Sequence, residues 1–107
     1  MLAQAKPQDH DLICFHCQQS AEKYLKALMQ ELGQPIPRTH QLTVLLQALL
    51  PHDPKLATLR SRLLTLTRYA VDFRYPGLSA NARQSRSALR AVAHVRAEFR
   101  QRLQLSP

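Results

Sequence analysis

The stretch Cys14-Phe-His-Cys-Gln-Gln-Ser-Ala-Glu-Lys-Tyr-Leu-Lys-Ala-Leu-Met-Gln30 decides the fold, because its two cysteines admit two readings. They could be half of a metal or redox site, or two positions on the apolar stripe of a helix. A tetrahedral zinc site needs two further ligands, and a thioredoxin-like pair needs a βαβ setting. His10 lies four residues before Cys14, so His10, Cys14 and Cys17 share one helical face. That face continues through Ala21, Tyr24, Leu25, Leu28 and Leu32, and unpaired cysteine is among the most buried residue types. Both cysteines therefore read as small core residues. Gln18, Gln19, Glu22, Lys23, Lys26 and Gln30 take the opposite arc and are expected to face water or a partner.

Working outward, Asp9 or Asp11 is placed to cap this first helix, and Gly33-Gln-Pro-Ile-Pro37 stops it. Thr39 is placed to cap a short second helix carrying Leu42, Leu45, Leu46, Leu49 and Leu50, ended by Pro51. Asp53-Pro54 makes a cap and first-turn pair for a third, striped by Leu56, Leu59, Leu63, Leu66 and Ala70. Arg74-Tyr-Pro-Gly77 breaks it. Ser79 then starts a fourth helix that turns Ala88, Val92, Val95, Phe99 and Leu103 inward. The connections are short, so the expected fold is all-α, an antiparallel four-helix up-and-down bundle forming one domain over residues 1–107.

Composition agrees with this reading. Two glycines and no tryptophan argue against a turn-rich β architecture, and 107 residues can bury a core without disulfides. The longest strongly apolar run, Val44 to Leu50, is far too short to cross a bilayer, so no membrane role is expected. The first residues lack an export pattern, and two cysteines make no secreted framework, which points to a cytoplasmic location.

The formal net charge of +8 is unevenly spread. Residues 1–54 hold four Lys or Arg against five Asp or Glu, whereas residues 55–107 hold eleven against two. Such asymmetry points to an anionic partner, nucleic acid or phosphate ahead of membrane, since no helix pairs its basic face with bulky interfacial aromatics. Arg83, Arg86, Arg90 and His94 fall at steps of three, four and four, lining one face of the fourth helix opposite Val92, Val95 and Phe99. A solvated face is the ordinary outcome for such a stripe; an anion answering it is the functional one.

Taken together, FHCQQSAEKYLKALM, then Pro37-Arg-Thr-His-Gln-Leu42, then Tyr69, Phe73 and Arg74-Tyr-Pro76 resemble the HEPN domain family of small helical bundles. The resemblance implies a bundle that commonly dimerises and works beside a minimal nucleotidyltransferase in toxin–antitoxin or defence modules. Many members are metal-independent ribonucleases whose arginine and histidine are separated by four to six intervening residues. Here Arg90 to His94 has three residues between, Arg86 to His94 seven, and Arg38 to His52 thirteen, so no pair has that spacing. The segment Arg68-Tyr-Ala-Val-Asp-Phe-Arg-Tyr-Pro76 holds no histidine and looks like the branch with an RYP-type ending, for which nuclease activity is not implied. His40 is expected to order the start of the second helix, as the family's Thr-His-x-Leu implies.

The residues expected to meet nucleotide or RNA phosphate are Lys23, Arg68, Asp72, Arg74, Tyr75, Arg83, Arg86 and Arg90. Arg68 and Arg74 flank Asp72, and the Tyr75 ring offers a base a stacking surface. Equally, Asp72 can pin the helix end by pairing with one arginine while Tyr75 packs under the loop. No cofactor and no catalytic residue is assigned. Two alternatives stay open: a ribonuclease toxin using Arg90 and His94 across a dimer, and an adaptor whose arginines meet an acidic protein. Phe15, near the polar arc of the first helix, is a further hint of an interface.

Overall fold

A computed structural model describes residues 7–72 and 80–104, with side chains over 9–69 and 80–104. Every regular element among the described residues is a helix, and none is a strand. Helix α1 spans Pro7–Glu31, α2 Leu42–Leu49, α3 Arg60–Asp72 and α4 Ala82–Arg102, and a 3₁₀ segment, Pro54–Leu59, leads into α3. Among these residues no helix is long and apolar enough to cross a membrane.

The stripe that begins at Cys14 is the wall of the core. Cys14, Cys17, Ala21, Leu25, Leu28 and Met29 are buried, and they meet Leu42, Leu45, Leu46 and Leu49 of α2, Leu63 and Leu66 of α3, and Ala88, Ala91, Val95 and Phe99 of α4. Leu56 and Leu59 close one end from the 3₁₀ segment. Two positions depart from the spacing argument. Leu32 stands 43% exposed because it lies beyond the last residue of α1, where the chain turns away. There Gly33 takes φ +72°, while Gln34 N–H donates to Met29 O and Gly33 N–H to Gln30 O, the paired bonds that close a helix on a left-handed residue. Gln18, expected on the wet arc, is buried. Its Nε2 donates to His40 O at 2.9 Å, which satisfies the amide where water cannot reach it.

Helix starts differ from expectation, each for a local reason. Gln41 takes the cap position of α2, and Thr39 instead accepts the Gln41 N–H on its hydroxyl. Asp53 does cap as expected, accepting from Lys55 N–H, but what it starts is the 3₁₀ segment. Asn81 caps α4 in place of Ser79, which lies outside the described residues. Its side chain accepts the Gln84 N–H while Gln84 Oε1 accepts the Asn81 N–H, a reciprocal box. Asn81→Ala is expected to cost about 1 kcal/mol of stability in urea unfolding. A loss below about 0.3 kcal/mol would mean that water replaces the box at no cost.

Asp11 does not cap α1. It lies inside the helix, and its Oδ1 accepts the Ala80 N–H ahead of α4. Nearby, the buried His10 ring meets Ser85 Oγ through Nδ1 at 2.9 Å. Toward the other end, Arg100 Nη1 donates to Tyr24 Oη at 3.4 Å. These pairs, 10 with 85 and 24 with 100, advance along both helices together, so α1 and α4 run side by side with like ends adjacent. Four strictly alternating helices would place the first and last in opposite directions. The eight-residue α2 is too short to act as a full member of the bundle, and the chain makes its direction changes with one fewer long helix.

Candidate functional site

The expected site residues do not gather in one place. Arg68 is exposed on α3, and Arg83, Arg86 and Arg90 are exposed on α4. Asp72 is the last residue of α3, and its side chain lies outside the description, as do Arg74 and Tyr75 altogether. Lys23 is exposed on α1, where it lines an open hollow of about 440 Å³ with His16, Gln19, Ser20, Tyr24, Ala27 and Leu103. Lys23 is thus set apart from the arginine stripe.

Between α3 and α4 runs a second, smaller hollow of about 230 Å³, lined by Ser61, Arg62, Thr65, Ser87, Arg90, Ala91 and His94. Each helix supplies it by regular spacing. Ser87, Arg90, Ala91 and His94 are positions i, i+3, i+4 and i+7 of α4, while Ser61 and Thr65 are one turn apart on α3. Ala91 is buried and forms the floor. The same α3 stripe continues from Thr65 to Arg68, and on α4 Arg83 and Arg86 stand one turn before Ser87 and Arg90. Arg62 was missed by sequence reading because it stands alone between Arg60 and the leucines of α3; only the packing of α3 on α4 sets it beside Arg90.

What sets these cations apart is where the carboxylates are. Glu22 binds Lys26 Nζ and the His40 ring, each at 3.0 Å. Burial alone would raise the Glu22 pKa, but the hydrogen bonds from Lys26 and His40, with their charges, outweigh it and hold the group below its ordinary value. His40 thereby ties the segment before α2 to α1, as expected from the sequence. Asp53 and Glu98 both bind Arg102, which joins the start of the 3₁₀ segment to the last turn of α4. Asp11 holds the Ala80 amide. Among the described residues, Arg62, Arg68, Arg83, Arg86 and Arg90 make no ion pair. The basic surplus of the second half is therefore real on α3 and on the first half of α4, and neutralised at Arg102.

The cysteines take no part. Both are buried, and burial, the largest cause for each, pushes their thiols up to about 11, so the thiolate that would bind metal or attack is disfavoured. Among the described residues no three metal-ligating side chains gather.

The described residues thus make an all-helical domain with a basic groove between two of its helices, whose arginines make no ion pair. A family model described as HEPN domain matches residues 3–102, and the chain belongs to that family. No match was found among curated proteins or among solved structures.

Proposed function

We propose that this HEPN domain binds nucleotide or RNA phosphate along the α3–α4 face, through Arg62, Arg68, Arg83, Arg86 and Arg90. Arg74 and Tyr75, which follow α3 in the sequence and lie outside the described residues, belong to the same reading, as does Asp72. The observation that carries it is a set of guanidinium groups, exposed at Arg68, Arg83, Arg86 and Arg90 and half-buried at Arg62, that make no ion pair among the described residues, while Asp11, Glu22, Asp53 and Glu98 are engaged elsewhere. Unpaired guanidiniums in a row repel one another, and a phosphate backbone relieves that repulsion while releasing its own counterions. Family membership supports the further reading that the domain works as a homodimer beside a minimal nucleotidyltransferase in a toxin–antitoxin or defence module. Exposed Leu64 on α3 and Leu89 on α4 offer apolar surface to a second copy.

The test is the salt dependence of binding to short single-stranded RNA. Each phosphate neutralised contributes about 0.7 to the slope of log affinity against log salt, so three or more contacts give a slope of about −2 or steeper. Weak binding with no salt dependence sinks the reading. A second reading, a ribonuclease, draws on Arg90 and His94 lining the same hollow. RNA cleavage by the purified protein, abolished in His94→Ala, would favour it.

A further inference from the structure

We infer that the hollow between α3 and α4 is a receptor for a phosphomonoester, the terminal phosphate of an RNA or of a nucleotide, as opposed to an internal phosphodiester. The inference rests on the proposed reading of this face and deepens it.

Size is the first argument. At about 230 Å³ the hollow is smaller than the roughly 300–1,000 Å³ of pockets that enclose a whole drug-sized ligand. It suits a phosphoryl group with part of its sugar. Composition is the second. No Phe, Tyr or Trp lines it and the His94 imidazole is the one ring in the lining, so the hollow is richer in anion donors than in stacking surface, and Ala91 makes a small floor that lets an anion approach the helix. What does line it is donors: the Arg62 and Arg90 guanidiniums, the His94 ring, and the hydroxyls of Ser61 and Ser87, which make no hydrogen bond among the described residues. The Thr65 hydroxyl is already committed to Ser61 O at 3.1 Å.

Charge decides between the two kinds of phosphate. Two arginines, one from each helix, line one small space, and no carboxylate lines it. A terminal phosphate carries about −1.5 to −2 at pH 7 and presents three strong acceptor oxygens, which matches two guanidiniums and two free hydroxyls. An internal phosphodiester offers a single charge and two free oxygens, and its two ester arms must both leave through the mouth. Arg83, Arg86 and Arg68, one turn away along the same face, are left to follow the chain that leads from the bound end.

The experiment compares one short single-stranded RNA carrying a phosphate at its 5′ end, at its 3′ end, or at neither, with a nucleoside monophosphate as competitor. The expected result is that at least one phosphorylated form binds about tenfold or more tightly than the bare RNA. That preference should shrink to about onefold in Arg62→Gln/Arg90→Gln, and fall in part in Ser87→Ala, which changes no charge. Competition by the monophosphate against either end shows that the phosphoryl group itself is what the hollow holds. Equal affinity for all three RNAs, or a preference that survives in the double variant, overturns the inference. If that equal binding is salt-dependent, the general reading of the face stands; if no RNA binds at all, both fall. Circular dichroism of each variant checks that the helices remain.

Discussion

Replacing Phe99 with alanine is expected to lower unfolding free energy by about 3–5 kcal/mol, the upper range for truncating a core side chain to alanine. Phe99 is fully buried on α4 and is the bulkiest of the fully buried side chains. Its neighbours in the core are mostly leucines, with small residues at Cys14, Cys17, Ala21, Ala88 and Ala91. Small residues let helices approach closely but cannot swell to fill a vacated ring, so the cavity persists and its cost adds to the lost transfer energy. A domain of this length holds about 5–15 kcal/mol in total, so the variant should unfold at a much lower urea midpoint, with the slope unchanged. Phe99→Leu should cost less, about 1–1.5 kcal/mol, because most of the volume is kept. Arg96→Ala, exposed on the same helix, should stay within about 0.5 kcal/mol of the parent. A Phe99→Ala loss under about 1 kcal/mol would mean that α4 is not seated on the core as described.

That core was legible because its logic is local. The spacing of Cys14, Cys17, Ala21, Leu25 and Leu28, and of Leu56, Leu59, Leu63 and Leu66, marks buried stripes with no knowledge of what they face. The errors fall where a distant partner decides. Gln18 sits on the polar arc by spacing, yet the His40 carbonyl, 22 residues on, lets it be buried. Asp11 has the position of a helix cap and is spent on the Ala80 amide, 69 residues away. Val92 was expected inward, yet Ala91 is the buried residue and Val92 only partly so, since a small side chain admits the closest approach of two helices. Asn81 was legible and overlooked: Asn81-Ala-Arg-Gln84 spells a capping box. The shared direction of α1 and α4 could not be read from short connections alone, because α2 is a turn of chain more than a member of the bundle. At the candidate site, the α4 stripe followed from spacing, and the discharge of Arg102 by Asp53, 49 residues distant, did not.

The second large effect is expected on binding, from Arg83→Gln/Arg86→Gln/Arg90→Gln. All three side chains are exposed, so each phosphate contact is screened by water and contributes about 0.5–1 kcal/mol in place of the larger figure for a buried charged bond. Together that is about 1.5–3 kcal/mol, or roughly 10–150-fold in affinity for single-stranded RNA. The salt slope should flatten by about 2, because three contacts at about 0.7 each are lost. Stability should move the other way. Arg83 with Arg86 and Arg86 with Arg90 are like charges at three and four residues on one helix, and removing each such pair relieves about 0.2–0.5 kcal/mol. The variant should therefore melt no lower than the parent while binding far more weakly, which no folding defect can produce. Lys23→Gln is the comparison: it removes one positive charge as well, but from the α1 hollow away from these arginines, and should change affinity less than about twofold. Equal losses from Lys23→Gln and from the triple variant would mean that net charge alone attracts the RNA, and that the α3–α4 face has no special part in holding it.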